Sequence, residues 1–297
     1  MKPYLKRAWA EISLSALEAN IRAISASLQG NTQIMAVVKA DAYGHGEAEI
    51  LQKLTQIGVR YFAVSNLDEA LHVRQYCPDS DVLILGYTPP EYADTLAQNN
   101  IIQGIVSAEY ACTLNARTRT PIRCHVKLDT GMGRIGITGD TPGDCADSIQ
   151  DMSFLRNLKI EGIYTHFAVA DMPDDPEQNA YTEAQKQFIR SVGTELMKRG
   201  VHLKHLHYLN SAGVLYHNDA NSTLARVGII MYGLAPNYPL PVPLDLKPVL
   251  SLKAVISHIK RVQPGTSISY GRTFRADHCM KLSLIHISEP TRLRCIS

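Results

Sequence analysis

The chain has 297 residues, 45% hydrophobic and 20% charged, the proportions of an ordinary globular protein long enough for one large barrel or two domains. A formal net charge of +2, with no basic patch interleaved with aromatics, gives no ground for a nucleic-acid or acidic-membrane partner. No apolar run approaches membrane-spanning length, and the first ten residues lack the apolar centre of a signal peptide, so no membrane contact and a cytoplasmic location are expected. Cys77, Cys112, Cys124, Cys145, Cys279 and Cys295 are scattered without a C-x-x-C pair, which predicts free thiols in a reducing compartment.

Ala8 to Ser13 alternates like a short strand, and Ser15-Ala-Leu-Glu18 has capping-box spacing, opening a periodic helix to about Leu28. Ile34 to Val38 is a short apolar run ended by glycine-rich sequence, which predicts a buried strand. Lys39 stands where that strand stops. Burial at a strand tip strips solvation from the amine and leaves it more nucleophilic, although a lysine there can also snorkel to water. Tyr43 then offers a phenol, and Gly44 and Gly46 let backbone approach an anion closely. A reactive amine beside an anion-tolerant loop suits covalent attachment of pyridoxal phosphate.

Further apolar runs near 60–65, 81–85, 101–106, 122–128, 158–165, 204–209 and 224–230 read as strands, with helical patterns at 45–57, 66–76, 89–99, 107–117 and 177–199. Eight strands separated by helices predict an α/β chain, a (β/α)8 TIM-type barrel over residues 1–240, with an open doubly wound sheet as the alternative. Residues 1–13 are candidates to pair with a second domain. Pro236, Pro239, Pro241, Pro243 and Pro248 crowd a segment that can be neither helix nor central strand and reads as a linker. Beyond it Val249 to Ile259 alternates like a strand, so residues 241–281 are expected to be the start of a β-rich C-terminal domain. From Leu282 the text Leu-Ser-Leu-Ile-His-Ile-Ser-Glu-Pro-Thr-Arg matches the translation of a common sequencing-library adapter, and 282–297 are expected to be a non-native tail.

Several stretches could carry chemistry. Gly131-Met-Gly133-Arg134-Ile-Gly136 fits G-x-G-x-x-G, with Asp151 as a candidate ribose acid. The dinucleotide fingerprint should open a helix, however, and Thr138-Gly-Asp-Thr-Pro-Gly143 is not expected to start a long one. The alternative is a tight glycine loop that turns Arg134 toward a small carboxylate, which guanidinium binds in bidentate fashion. His202, His205 and His207 invite a metal, but their alternation says strand and no carboxylate accompanies them, so no metal is expected. His166 ends one strand as a structural or hydrogen-bonding residue. Asn210 and Ser211 follow the seventh barrel strand as helix caps or phosphate donors. Arg226, Gly228 and Ile229 end the eighth, where barrels commonly hold phosphate. Tyr270 in the second domain reads as a sheet residue on its own pattern.

Val37-Val-Lys39-Ala-Asp-Ala-Tyr43-Gly-His-Gly46 resembles the cofactor-lysine motif of alanine racemases, and the stretches around Arg134, His166, Arg226 and Tyr270 resemble that family in the same order over residues 1–281. The resemblance implies a pyridoxal phosphate-dependent, homodimeric bacterial enzyme that interconverts L- and D-alanine for peptidoglycan. It makes Lys39 and the partner subunit's Tyr270 the two catalytic bases, Arg134 the substrate carboxylate ligand, and Tyr43, Asn210, Ser211, Gly228 and Ile229 cofactor ligands. It puts Arg226 on the pyridine nitrogen, His166 in a chain between Arg226 and the catalytic tyrosine, and a carbamate on Lys127. An arginine cannot surrender its proton, so the ring nitrogen stays unprotonated and the electron sink is tempered. The family's later second-domain strands, with a substrate-contacting Met and a phosphate-binding Tyr, have no counterpart after 281, which leaves the activity of a truncated chain open and predicts a loose second domain. The rival readings are a non-catalytic pyridoxal phosphate-binding barrel and an amino-acid decarboxylase on the same barrel.

Overall fold

The structure, a computed structural model, describes residues 7–235 and 244–285. The chain divides into two compact units, Leu14–Val249 and a smaller one in which the described residues 7–13 join those from Leu250 onward. The first strand, β1 (Ala8–Ile12), belongs to the smaller unit.

Eight parallel strands build the larger unit: β2 (Gln33–Val37), β3 (Tyr61–Val64), β4 (Asp81–Ile84), β5 (Ile101–Ile105), β6 (Ile122–Lys127), β7 (Leu158–Tyr164), β8 (His205–His207) and β9 (Leu224–Val227). They are hydrogen-bonded in chain order from β2 to β8, with β9 on the other side of β2. The ring closes between β8 and β9, where Leu206 O accepts from Thr223 N at 2.8 Å and Leu209 O from Arg226 N at 2.9 Å. This is a barrel, not an open sheet. Its strands are continuous apolar runs because both faces are covered; Ile101–Ile105 is buried throughout. Helices lie between successive strands, and the helix preceding β2, Leu14–Ser27, supplies the eighth.

Strand alternation decides what fills the ring. Register pairs Val37 with Ala63, Ala63 with Leu83, Leu83 with Ile102, Gly104 with His125, Lys127 with Tyr164, and Tyr164 with His207. Partners in a parallel ladder point the same way, so these residues share one face. Met35, Val37, Ala63, Leu83, Ile102 and Leu224 make an apolar half of that interior. His125, Lys127, Tyr164, His205, His207 and Arg226 make a polar half, all buried. Two glycines make room for it. A Cβ at Gly104 would lie 2.7 Å from Tyr164 Oη, and one at Gly162 would lie 2.9 Å from His205 Cβ. Following the same parity past the strand ends puts Lys39, Ser65 and Leu85 at the mouth.

Within the smaller unit β1 pairs antiparallel with β10 (Leu250–Ala254), β11 (Ile256–Val262) is laid down next, β12 (Ser267–Ile268) pairs with β13 (Phe274–Arg275), and β14 (Met280–Ile285) returns antiparallel to β11. β14 crosses the boundary set at 281, so residues 282–285 of the expected tail are paired strand. Residues 286–297, the prolines at 236, 239, 241 and 243, and Cys295 lie outside the described residues.

Three local expectations need correction. The first helix starts at Leu14, so Ser15 lies inside it and not at its cap, and Glu18 pairs with Arg22 and Lys53. The stretch not expected to open a long helix does open one of 12 residues: Pro142–Ser153 begins with a Thr141–Asp144 capping box and proline in its first turn, where its missing N–H costs nothing. The last barrel strand ends at Val227 and gives way to a 3-10 turn, Ile229–Tyr232. Among the described residues the cysteines are free, and no helix is long and apolar enough to cross a membrane.

Candidate active site

A cavity of about 740 Å³ opens at the C-terminal ends of the barrel strands. Ten of the eleven sequence candidates line it: Lys39, Tyr43, Lys127, Arg134, His166, Asn210, Ser211, Arg226, Gly228 and Ile229. The eleventh, Tyr270, sits in the smaller unit on a 3-10 turn (Tyr270–Arg272), its side chain 99% exposed.

Lys39 leaves β2 into an unusual backbone. Ala40, Asp41, Ala42 and Tyr43 all have φ between 52° and 57° with ψ between 35° and 55°, one turn of left-handed helix. L-residues resist that conformation by roughly 1–2 kcal/mol each. Hydrogen bonds at both ends hold it. Ala42 N donates to Val38 O at 2.9 Å, Gly46 N to Asp41 O at 3.2 Å, and the Asp41 carboxylate accepts from Glu47 N at 2.7 Å. Ala40 N donates to Glu69 Oε1 at 2.8 Å. The turn leaves Lys39 Nζ 5.9 Å from the centroid of the Tyr43 ring.

Arg226 is the fixed cation of the site. Its Nη1 donates to His207 Nδ1 at 2.9 Å and to His207 O at 3.1 Å, and its Nη2 donates to Thr165 O at 2.5 Å and lies 3.4 Å from His166 Nδ1. Burial brings its pKa down to about 10, so it stays charged at neutral pH. Guanidinium only donates, which sets the tautomers of the rings behind it. His207 must accept at Nδ1 and therefore carries its proton on Nε2. That Nε2 lies 3.0 Å from His125 Nδ1, which must accept in turn, so His125 is protonated on Nε2. Burial first, and the neighbouring Arg226 second, push His166 down to about 3. The same causes hold His207 well below its ordinary range. Burial and then the nearby His205 take His125 to about 3.

Lys127 is buried against this group, donating to Leu128 O at 2.7 Å with Nζ 5.8 Å from the Tyr164 ring centroid. Desolvation, then repulsion from Arg226, lowers its pKa to about 8. Roughly a tenth of the amine is therefore neutral and nucleophilic at pH 7. Arg134 stands on a loop wrapped around one carboxylate: Asp129 accepts from Gly131 N at 3.1 Å, Gly133 N at 3.0 Å and Arg134 N at 3.0 Å. Gly131, Gly133 and Gly136 all have positive φ. These glycines serve the wrap and not a helix N-terminus, since the next helix begins only at Pro142. The dinucleotide reading fails on that geometry.

Another part of the rim gathers a backbone N–H, a hydroxyl and a phenol. Gly228 N donates to Ser211 Oγ at 3.1 Å, and Asn210 caps the short helix Ser211–Tyr216 by accepting from Gly213 N at 2.8 Å. A Cβ at Gly228 would lie 2.8 Å from Tyr43 Oη, so a larger residue would push the phenol out of this corner.

Tyr164 and the His125–His207 pair were not picked out from sequence as members of the site. Tyr164 is fully buried, donates to Leu85 O at 3.0 Å, stacks on His207 with ring centroids 5.1 Å apart, and faces Arg226 at 5.5 Å. The signal lay in alternation: Tyr164, His205 and His207 share the inward parity of their strands. Among the described residues no group of three or more His, Cys, Asp or Glu is placed to hold a metal ion.

Residues 12–236 match the family model described as alanine racemase, N-terminal domain, and residues 249–287 the one described as alanine racemase, C-terminal domain. The chain is 39% identical over 281 residues to an alanine racemase of Clostridium tetani, covering 93% of this chain and 71% of that protein. It is 36% identical over 284 residues to an amino-acid racemase of Enterococcus faecalis, covering 95% of this chain and 40% of that longer protein. The crystallised alanine racemase of Clostridium difficile 630 superposes with a TM-score of 0.82 at 32% identity, covering 95% of this chain and 73% of that one.

Proposed function

Since the chain belongs to the alanine racemase family, we propose that it interconverts L- and D-alanine with pyridoxal 5'-phosphate held on Lys39. The observation that carries this reading is the convergence of Lys39, Arg226, Ser211, Gly228 and Tyr43 on one cavity at the strand ends. The residues fit the cofactor: the corner at Gly228 that a Cβ would fill, flanked by Ser211 Oγ and Tyr43 Oη, has the donors a phosphate needs. Tyr43, Asn210, Ser211, Gly228 and Ile229 would hold the phosphate, Arg226 the pyridine nitrogen, and Lys39 the aldehyde carbon. Bound there, the cofactor supplies the electron sink that acidifies the substrate's α-hydrogen.

The chain's own groups do the rest. Arg134, presented by the Asp129-centred loop, takes the substrate carboxylate. Racemisation removes a proton from one face and returns one to the other, so two bases on opposite faces need no rotation of either. Lys39 Nζ serves one face and the phenol of the partner subunit's Tyr270 the other, in a homodimer. Each is base in one direction and acid in the reverse. Arg226, charged and hydrogen-bonded to neutral His166, favours the phenolate form of that tyrosine. The neutral form of Lys127, whose pKa is about 8, would attack carbon dioxide through Nζ and release a proton to solvent, and the resulting carbamate would supply the anion that orients Arg134. The D-alanine product serves peptidoglycan assembly in a bacterial cytoplasm.

The test adds pyridoxal phosphate and D-alanine to the purified protein, follows optical rotation, then fixes the label with borohydride and maps it. Label on Lys39 with loss of rotation is expected. Label on Lys39 with unchanged rotation would favour the non-catalytic barrel, and released carbon dioxide the decarboxylase. No label at Lys39 in folded protein removes the proposal.

A further inference from the structure

We propose that Glu69 is a positioning residue for the Lys39 amine, an inference that rests on the role given to Lys39 above. The peptide immediately after Lys39 begins the left-handed turn, and its N–H, Ala40 N, goes to Glu69 Oε1 at 2.8 Å. The second oxygen of the same carboxylate accepts from Ser65 N at 2.7 Å. Ser65 follows the end of β3, the strand paired with β2, and lines the same cavity as Lys39. One carboxylate therefore ties two adjacent strand ends at the mouth of the site.

Glu69 stands third in the helix Leu67–Tyr76, where an acid is favoured by the helix dipole alone. That role does not account for its bonds. In a capping box the third-position acid reaches back to the N–H of the cap, which here is Asn66. Both oxygens of Glu69 go elsewhere, one to the residue before the cap and one across to the turn after Lys39. Four consecutive L-residues with positive φ relax toward right-handed backbone unless held, and such relaxation would swing the Lys39 side chain away from the cavity.

The test measures the rate at which pyridoxal phosphate labels Lys39, by borohydride fixation and peptide mapping of whole folded protein. Glu69→Ala is expected to slow labelling about ten- to hundredfold, the scale set by an ångström of misplacement. Glu69→Gln, which keeps one acceptor oxygen, is expected to fall between Glu69→Ala and the natural residue. Asp68→Ala removes an acid from the same helix turn and is expected to label at the natural rate. Faster hydrogen exchange at the Ala40 and Ser65 amides of the Glu69 variants is the accompanying signature. Natural-rate labelling in Glu69→Ala, or equal slowing in Asp68→Ala, overturns the proposal. If Glu69→Ala does not fold, natural-rate labelling in Glu69→Gln overturns it on its own. Should the natural protein label at some other lysine, the failure belongs to the reading of Lys39 and not to Glu69.

Discussion

Mild acid should open this barrel from within. His125, His205 and His207 fill the polar half of its interior. Burial, reinforced by His205, holds His125 at about 3; burial, reinforced by Lys204, holds His205 at about 4; and His207 lies well below its ordinary value. In the unfolded chain each returns to about 6.5. The folded values are the depressed ones, so the contribution of these rings is complete above about pH 6.5 and is lost as pH falls, because only the unfolded chain takes up the protons. At pH 5 the gap is about 1.5 units, or roughly 2 kcal/mol per ring at 1.36 kcal/mol per unit, and on the order of 6 kcal/mol for the three. That is comparable with the whole stability of many domains. The limiting slope is about 4 kcal/mol per pH unit, three protons' worth. Carboxylates act lower. Burial works against the Glu161 carboxylate, but Arg123 and Lys159 hold it at about 2, so its share is lost only below the unfolded carboxylate range of about 4.3. Urea melts at constant ionic strength between about pH 7 and 5 measure the slope, and titration of unfolding against proton uptake measures the stoichiometry. His125→Gln keeps an acceptor for His207 Nε2 and should be less stable at pH 7 but shallower by one proton. A stability that stays flat between about pH 6.5 and 5 would refute the assignment of three neutral interior histidines.

The backbone offers a second test. Ala40→Gly relieves a left-handed residue of about 1–2 kcal/mol while adding about 0.4–1 kcal/mol of unfolded-state entropy, so a gain of roughly 0.5–1 kcal/mol is expected in denaturant melts, against a loss if the turn were right-handed. Gly104→Ala would bring a Cβ within 2.7 Å of both Ile84 O and Tyr164 Oη, so calorimetry should show a loss of about 1–3 kcal/mol, with Tyr164 fluorescence altered. Buried Asn20 donates to Met231 O at 3.0 Å and Lys247 O at 2.8 Å and accepts from Lys247 N at 2.7 Å; Asn20→Ala strands those groups and should cost about 2–4 kcal/mol by chemical denaturation.

The barrel was readable because each strand is an apolar run closed by turn signals, and eight such runs interrupted by helical periodicity leave few other folds. The rim was readable mainly through the family resemblance: on their own patterns Lys39 can snorkel to water and His166 is an ordinary strand-end histidine, and the motifs around them, Arg134 and Arg226 mark them as a set that one cavity brings together. What escaped lies one layer down. His205 and His207 alternate as strand residues should, yet nothing local says that Arg226, about twenty residues later in sequence, turns both His207 and His125 into acceptors. The left-handed turn escaped because Ala-Asp-Ala-Tyr has no glycine to announce positive φ. Its first N–H goes to Glu69, a partner known only once β2 and β3 lie side by side. The two misses share a cause. Propensity and periodicity report what a segment does with its own neighbours, whereas a buried donor or a strained turn is satisfied by whichever strand the closed ring brings alongside. A barrel with this interior should therefore tolerate changes to its outer helices far better than exchanges among the inward residues of β6 to β9, where Arg226 fixes the tautomer of His207 and His207 that of His125.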